Sequence, residues 1–427
     1  MFTAFLPASC LLRRRPPATT GSLLGSPDWQ IKIFRDPAEL LAAWPAAVRP
    51  DDFWLRRETL TFLNGTPQGI QTEAVVVEHA DGRRLLFTLQ TFAFSAAGQV
   101  TDAAKGRTSR YDFRRRLLSP FSFSILVVGQ MLTSADYAQD GLAGFSSPEA
   151  ADFVEDLGAT LLEMYPGHSA ILLKDNFRRS DTAVTALQHR GFYALPGDPV
   201  MGMRLPPEWA SFEDYLGALT SKYRVRYRRA RAKLEGITRR RLSAPEVRAY
   251  ADTLYDLYRQ TSSGADFNAA KLTANYFPWL AEAGRQDFAG SRVQGILEGS
   301  KGLDPLASPT TLTGYFDGDR LIGFTSAIRN GEVYHAHFLG LEPAYKFSHH
   351  LYHNMLFDLL GDAIASGARH LDYGRTALEI KSSVGAEPTE FAVLLKARSR
   401  VLNYLIPLFT PAVYTSPAWT QRRPFRK

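Results

Sequence analysis

One cysteine, Cys10, occurs in the 427 residues. That excludes an internal disulfide, and with no CxxC or Cys/His spacing anywhere, a zinc-stapled fold is excluded too. Long apolar runs are also missing. The longest stretches, around Phe123 to Leu132 and Val401 to Val413, are interrupted and fall short of the roughly 18 residues that span a bilayer. The first residues, MFTAFLPASCLLRRR, place the apolar stretch ahead of the arginines, the reverse of a secretory signal. Residues 1–27 therefore read as a disordered Pro/Arg-rich leader outside the fold. A reducing, cytoplasmic protein is expected, soluble or at most peripheral to the inner face of the membrane.

What is present describes a chain that folds. Hydrophobic residues make up 45% and charged residues 22%, so large-scale disorder is excluded, and the length predicts two domains rather than one. The formal charge of +7 admits an anionic partner such as a CoA pyrophosphate, tRNA or lipid surface, provided that the charge is concentrated somewhere.

The order of elements repeats. EAVVVEHA turns at Asp81-Gly82 into RRLLFTLQTF, and TLTGYF turns at Asp317-Gly318 into RLIGFTSAI; Asp-Gly between two strand-like runs is a strong hairpin signal, because both positions tolerate positive φ. Each hairpin leads to a further apolar strand, FSFSILVVGQML or EVYHAHFLGL, and then to a helix. The first helix opens at Pro148-Glu149 and runs through Met164. In the second, Phe347, Leu351, Met355, Leu359 and Ala363 recur every four residues. Strands SAILLKD and RHLDYG follow. The expected fold is α/β: two tandem units, 28–205 and 206–427, each a mixed central sheet with flanking helices in which a helix links two parallel strands.

This order resembles the GNAT acyltransferase core, and its duplication resembles the tandem FemAB and BioF2-like branch. The sharpest match is LDYGRTALEIKSSVGAEP, residues 371–388, where the fifth core strand ends in a Gly-Arg step and leads through a lysine to a Gly-containing turn. The resemblance implies two GNAT-like domains and N-acyl transfer with an acyl-CoA, such as acetyl-CoA, as donor and no metal. One departure stands out. The helix start that in acetyl-CoA-dependent members carries a Gly-rich pyrophosphate loop is here EPAYKFSHHLYHN, without glycine. Lys346 and His349 are the side chains that would hold a phosphate instead.

Acyl transfer to an amine needs a base for the amine proton, a donor to the developing oxyanion and an acid for the leaving group. His335 and His337, two apart on a strand, share a face; His337, nearer the strand end, is the expected base and His335 a binding residue. Asp372, Tyr373, Arg375, Glu379 and Lys381 follow at the carboxyl end of the next strand, where open α/β sheets bind ligands. Tyr373 is the candidate acid, Arg375 a candidate clamp for a carboxylate or phosphate, and Asp372 and Glu379 candidate substrate contacts. The resemblance implies that Lys381 stabilises charge at the transferred carbonyl; the residue pattern alone equally allows an ion pair with Glu379 or Asp372. Five of the nine histidines lie between 335 and 353, with His349 and His353 spaced i, i+4, but the acidic neighbour of a zinc motif is missing.

The segment 219–235 reads as a basic helix. Tyr223, Tyr227, Ala230 and Leu234 form its apolar stripe, flanked by Lys222, Arg226, Arg229 and Lys233 on one side and Arg224, Arg228 and Arg231 on the other, with no acid opposite. The first four are the expected contacts to an anionic partner. The expectation is a bacterial-type N-acyltransferase with its chemistry in the second half, acting on an amine-bearing small molecule or envelope precursor. Alternatives are a FemAB-like transferase that takes an aminoacyl group from tRNA, and a non-catalytic protein that binds RNA or an anionic membrane surface.

Overall fold

The computed structural model describes residues 19–45, 51–95, 122–262, 271–286, 309–413 and 418–426. In chain order the strands are β1 (Thr20–Leu23), β2 (Ser26–Phe34), β3 (Gln71–His79), β4 (Arg84–Ser95), β5 (Ser122–Val128), β6 (Gln139–Asp140), β7 (Ala170–Arg178), β8 (Tyr193–Leu195) and β9 (Val200–Arg204). The series continues with β10 (Ile237–Arg241), β11 (Thr310–Asp317), β12 (Arg320–Asn330), β13 (Val333–Leu341), β14 (His370–Asp372), β15 (Glu387–Thr389) and β16 (Phe391–Ala397). They form two mixed sheets: β1-β2-β3-β4-β5-β7-β16-β8, with β6 beside β4, and β10-β11-β12-β13-β14-β9-β15.

The two Asp-Gly turns join β3 to β4 and β11 to β12, both antiparallel, with Gly82 at φ 93° and Gly318 at φ 57°. Each sheet has one parallel pair, β5 with β7 and β13 with β14. The helices Ser147–Met164 and Leu351–Ala365 provide the crossovers a parallel pair requires. The fold is thus a mixed α/β tandem.

The sheets cross the expected boundary at 205/206 in both directions. β9, which precedes the boundary, lies in the second sheet between β14 and β15, while β16, near the end of the chain, lies in the first between β7 and β8. The exchange covers the edges of β7 and β14, which would otherwise present unpaired backbone groups. The leader is shorter than expected as well. Thr20–Leu23 pairs with β2, and Leu24 N–H and Ser26 Oγ bond Thr160 and Asp156 of the Ser147–Met164 helix, so the fold begins before residue 27.

Strand alternation sets the layers. On β5, Leu126 and Val128 pack with Val154, Leu157 and Leu161 of the helix outside the first sheet. Ile125 and Val127 face the other way, into a core shared with Leu254, Phe277, Phe324 and Ile328 of the second half. At about 25 cal/mol per Å² of apolar surface, this shared layer holds the halves together by the same burial that folds each of them. Among the described residues no helix is long and apolar enough to cross a membrane.

Candidate functional site

The last rung of the second sheet's parallel pair joins His335 of β13 to Asp372 of β14. Beyond it the strands part. β14 turns away at Gly374, whose φ of 69° suits glycine, and Thr376 and Ala377 follow in the same left-handed region at 65° and 50°. β13 runs on through a bulge: between Thr325 and Ala327 one residue of β12 faces two of β13, His337 and Phe338, and Ser326 Oγ bonds the Phe338 N–H and carbonyl at 2.9 and 2.8 Å. Both His337 and Phe338 consequently pack on the Tyr276 ring, on the side toward the first half.

The two histidines have different surroundings. His337 Nε2 is 2.7 Å from Tyr276 Oη, and its ring lies against Trp54 of the first half. Burial, with a smaller contribution from His335, pushes its pKa down to about 3. His335 is buried. Its Nδ1 is 3.3 Å from Asp372 Oδ2, Tyr137 of the first half meets its ring edge-on at 4.5 Å, and its Nε2 has no hydrogen-bond partner among the described residues. Asp372 is oriented in turn by the Gly374 N–H, which donates to Oδ1 at 2.6 Å.

Lys381 is buried on the short helix Leu378–Ser383 and donates to the carbonyls of Gly374 (3.2 Å) and Arg375 (2.6 Å). Burial lowers its pKa to about 8, against the pull of Asp372 and Asp198. Its expected pairing with Glu379 does not form: Glu379 is exposed and bonded to Arg422. Arg375 reaches across to Asp175 of the first half and donates to the Asp198 carbonyl at 2.6 Å. Tyr373 lies in the core with its hydroxyl on the Leu356 carbonyl (2.8 Å), and burial raises the phenol well above its ordinary pKa. A proton held that firmly in apolar surroundings makes Tyr373 a packing residue, not a ready acid.

The expected single helix from Phe347 to Ala363 is broken. One helix, Pro343–Ser348, ends at His349, and the next begins at Leu351 after His350, whose φ is 47°. His349 and His353 therefore do not share a helix face. His349 Nδ1 is 2.8 Å from Ser348 Oγ, whereas His353 stacks on Phe357 and has its pKa pushed down to about 4 by burial, His350 and Arg226. Lys346 is exposed and sits 5.6 Å over the ring of Phe347, itself 77% exposed. The Leu351–Ala365 helix has no side-chain cap at its start.

The basic helix runs Ser221–Ala232, with Tyr223 and Ala230 buried and Lys222, Arg226, Arg229 and Lys233 exposed. Those four make no ion pair among the described residues, although Arg226 stacks over Tyr223 at 5.1 Å. Arg231 departs from expectation by pairing with the acid Asp358. Asn354 Nδ2, bonded to the Ala230 carbonyl at 2.8 Å, ties the end of this helix to the start of Leu351–Ala365. Burial depresses the pKa values of His350 and His353, and Lys233 beside the first and Arg226 beside the second add to it. Cations thus collect around a helix N-terminus at the open end of the parallel pair, where backbone N–H groups and the helix dipole favour an anion.

Residues 221–382 match the family model of the acetyltransferase (GNAT) domain. This segment is a GNAT acetyltransferase domain. It contains the basic helix, β13, β14 and Lys381. Similar solved structures include FemX, at 12% identity over 87% of this chain and 98% of that chain, with a TM-score of 0.47. A tandem GNAT protein from the clavulanic acid biosynthesis pathway is 10% identical over 86% and 99%, at 0.41. A GCN5-related N-acetyltransferase from Sphaerobacter thermophilus is 12% identical over 86% and 95%, at 0.38. The comparison with curated proteins gave no match.

Several residues now at the site escaped sequence reasoning. Trp54, Tyr137, Asp175 and Tyr276 come from distant segments, and only Asp175, at the carboxyl end of the strand SAILLKD, carried a positional signal.

Proposed function

We propose that the protein is an N-acyltransferase that moves an acyl group from acyl-CoA to an amine, at the carboxyl end of the β13–β14 pair. The observation that carries this reading is His335: buried, backed through Nδ1 by Asp372, and with Nε2 unpartnered. A carboxylate on Nδ1 favours the tautomer whose Nε2 lone pair is free, which is the state a general base needs. His335 Nε2 would take the proton that the acceptor nitrogen loses as its new bond to the acyl carbon replaces the thioester carbon–sulfur bond, the donor leaving as the CoA thiolate. His337 is the weaker candidate, since its Nε2 is engaged and protonation there is strongly disfavoured.

The start of Leu351–Ala365, with Lys233, His349, His350 and Arg226 around it, suits the phosphates of the donor, and Lys346 on the preceding helix adds an exposed cation. The donor supplies an activated acyl group. Asp372 and the loop that Lys381 and Arg375 hold keep the base oriented, while Trp54, Tyr137 and Tyr276 wall the acceptor side. The free cations of the Ser221–Ala232 helix favour a second reading, an aminoacyl-tRNA donor serving an envelope precursor.

Native mass spectrometry and thermal shift distinguish the two. Retained CoA, or a melting temperature raised by acyl-CoA, supports the first reading; tRNA binding with a steep salt dependence and no response to acyl-CoA supports the second. Capture by anionic liposomes without any transfer activity would overturn both.

A further inference from the structure

We infer that Asp175, carried by the first sheet, is a positioning residue for the His335–Asp372 pair in the second. The inference rests on the proposed role of His335 as base. Asp175 is 1% exposed and has a φ of 61°, a conformation that non-glycine residues seldom adopt without a structural reason. Its carboxylate serves two cations. Oδ2 is 2.7 Å from Lys174 Nζ, which also donates to the Thr133 carbonyl at 2.7 Å, and Oδ1 accepts from Arg375.

Arg375 transmits this anchor to the site. It sits in the loop where Gly374, Thr376 and Ala377 are all left-handed, a path that persists only if its surroundings hold it. Within the loop, Lys381 takes the carbonyls of Gly374 and Arg375, and the Gly374 N–H fixes Asp372 Oδ1. Arg375 supplies the outward hold, on Asp175 and on the Asp198 carbonyl. Removing the Asp175 charge would leave the guanidinium without its counter-ion in a half-buried place, so Arg375 would turn toward water and draw the loop with it. Gly374 N–H and Asp372 would then shift, and Asp372 Oδ2 would lose its hold on His335 Nδ1. The pair that would do the chemistry lies in the second sheet, but its alignment is set from the first.

The test uses the full chain and a readout apart from activity. The imidazole nitrogens of His335, assigned by difference against His335→Gln, are followed by 15N NMR at neutral pH in wild type and in Asp175→Asn. The inference expects a single Nδ1–H tautomer in wild type, and in the folded variant a mixture, together with a tenfold or greater fall in kcat at nearly constant KM for donor. A folded Asp175→Asn with the wild-type His335 spectrum would overturn it. If that variant does not fold, Arg375→Lys, which keeps a cation but cannot reach both Asp175 and the Asp198 carbonyl, is measured in the same way. Failure of the functional reading looks different: His335→Ala would retain turnover, whatever the tautomer in Asp175→Asn.

Discussion

His337 Nε2 and Tyr276 Oη share a 2.7 Å hydrogen bond, and that bond engages one of two neighbouring histidines while the buried Nε2 of the other has no partner among the described residues. With His337 engaged, the free nitrogen on this strand belongs to His335. Replacing His335 by alanine should lower kcat by about 10² to 10⁴, the usual range for a general base. His337→Gln should lose less than about tenfold, because a neutral polar side chain still meets the Tyr276 hydroxyl. Steady-state kinetics on both variants with one donor and one amine checks this; the reverse order of effects would return the role to His337.

Acid should unfold the protein partly through these rings. Folding depresses the pKa of His337 to about 3 and that of His353 to about 4, both below the ordinary value of 6.5. The unfolded chain therefore binds more protons below pH 6.5, and stability falls as pH drops from 6.5 toward 4, by up to about 1.4 kcal/mol per pH unit for each ring. Urea unfolding at pH 7, 6 and 5 should show this slope in wild type, and His337→Phe should flatten it. An unchanged slope in that variant would mean that His337 is not buried neutral.

Lys381 separates a brace from an oxyanion donor. Its Nζ is occupied by two loop carbonyls, so Lys381→Ala should cost about 2–4 kcal/mol, the penalty for stranding two buried acceptors, with turnover falling alongside as the loop relaxes. Lys381→Arg should not restore either, since the larger fork does not fit a compact ammonium's place. Unchanged urea stability with turnover down about 10² to 10³ would instead put Lys381 at the transferred carbonyl.

The sequence was legible where structure is local. The Asp-Gly hairpins, the basic helix and its buried Tyr223 follow from turn chemistry and helical spacing, and the run from His335 to Lys381 holds the His335–Asp372 contact and the loop that Lys381 braces. What it concealed was pairing at long range. Nothing in VLLKARS says that β16 will lie beside β7, and nothing near Trp54 or Tyr137 points to a histidine some 200 or more residues away. The break at His350 was hidden for another reason: the four-residue apolar period continues through it, so the pattern records the buried face and not the continuity of the backbone.

The exposed cations of the Ser221–Ala232 helix should matter for binding and little for folding. Arg226→Glu combined with Arg229→Glu should change stability by no more than about 0.5 kcal/mol, whereas Tyr223→Ala, which empties a buried site, should cost about 3 kcal/mol. The same charge reversal should raise the donor KM about tenfold or more at low salt, with the difference shrinking as salt screens it. Equal KM values for wild type and the reversed variant at low salt would remove this helix from donor binding.

Phe425 sits where a side chain at Gly385 would have to go. Gly385 has a φ of 107°, and a Cβ there would lie 2.5 Å from the Phe425 ring. The C-terminal segment is seated around that contact: the Thr220 N–H donates to the Pro424 carbonyl at 2.8 Å, the Arg426 N–H to Ala218 at 3.1 Å, and the Arg422 N–H to Ser382 Oγ at 2.9 Å. It thereby straps the helix carrying Lys381 to the start of the basic helix. Gly385→Ala should cost about 1–3 kcal/mol, from backbone strain and overpacking, and speed amide exchange at Phe425 and Arg426. Phe425→Ala should cost about 1–2 kcal/mol, because the half-buried ring packs against Trp209 and Tyr215. Because the second change removes the ring that the first collides with, the double variant should lose less than the sum of the single losses, by about 0.5 kcal/mol or more. Strictly additive losses in urea unfolding would mean that Phe425 does not occupy the Gly385 notch.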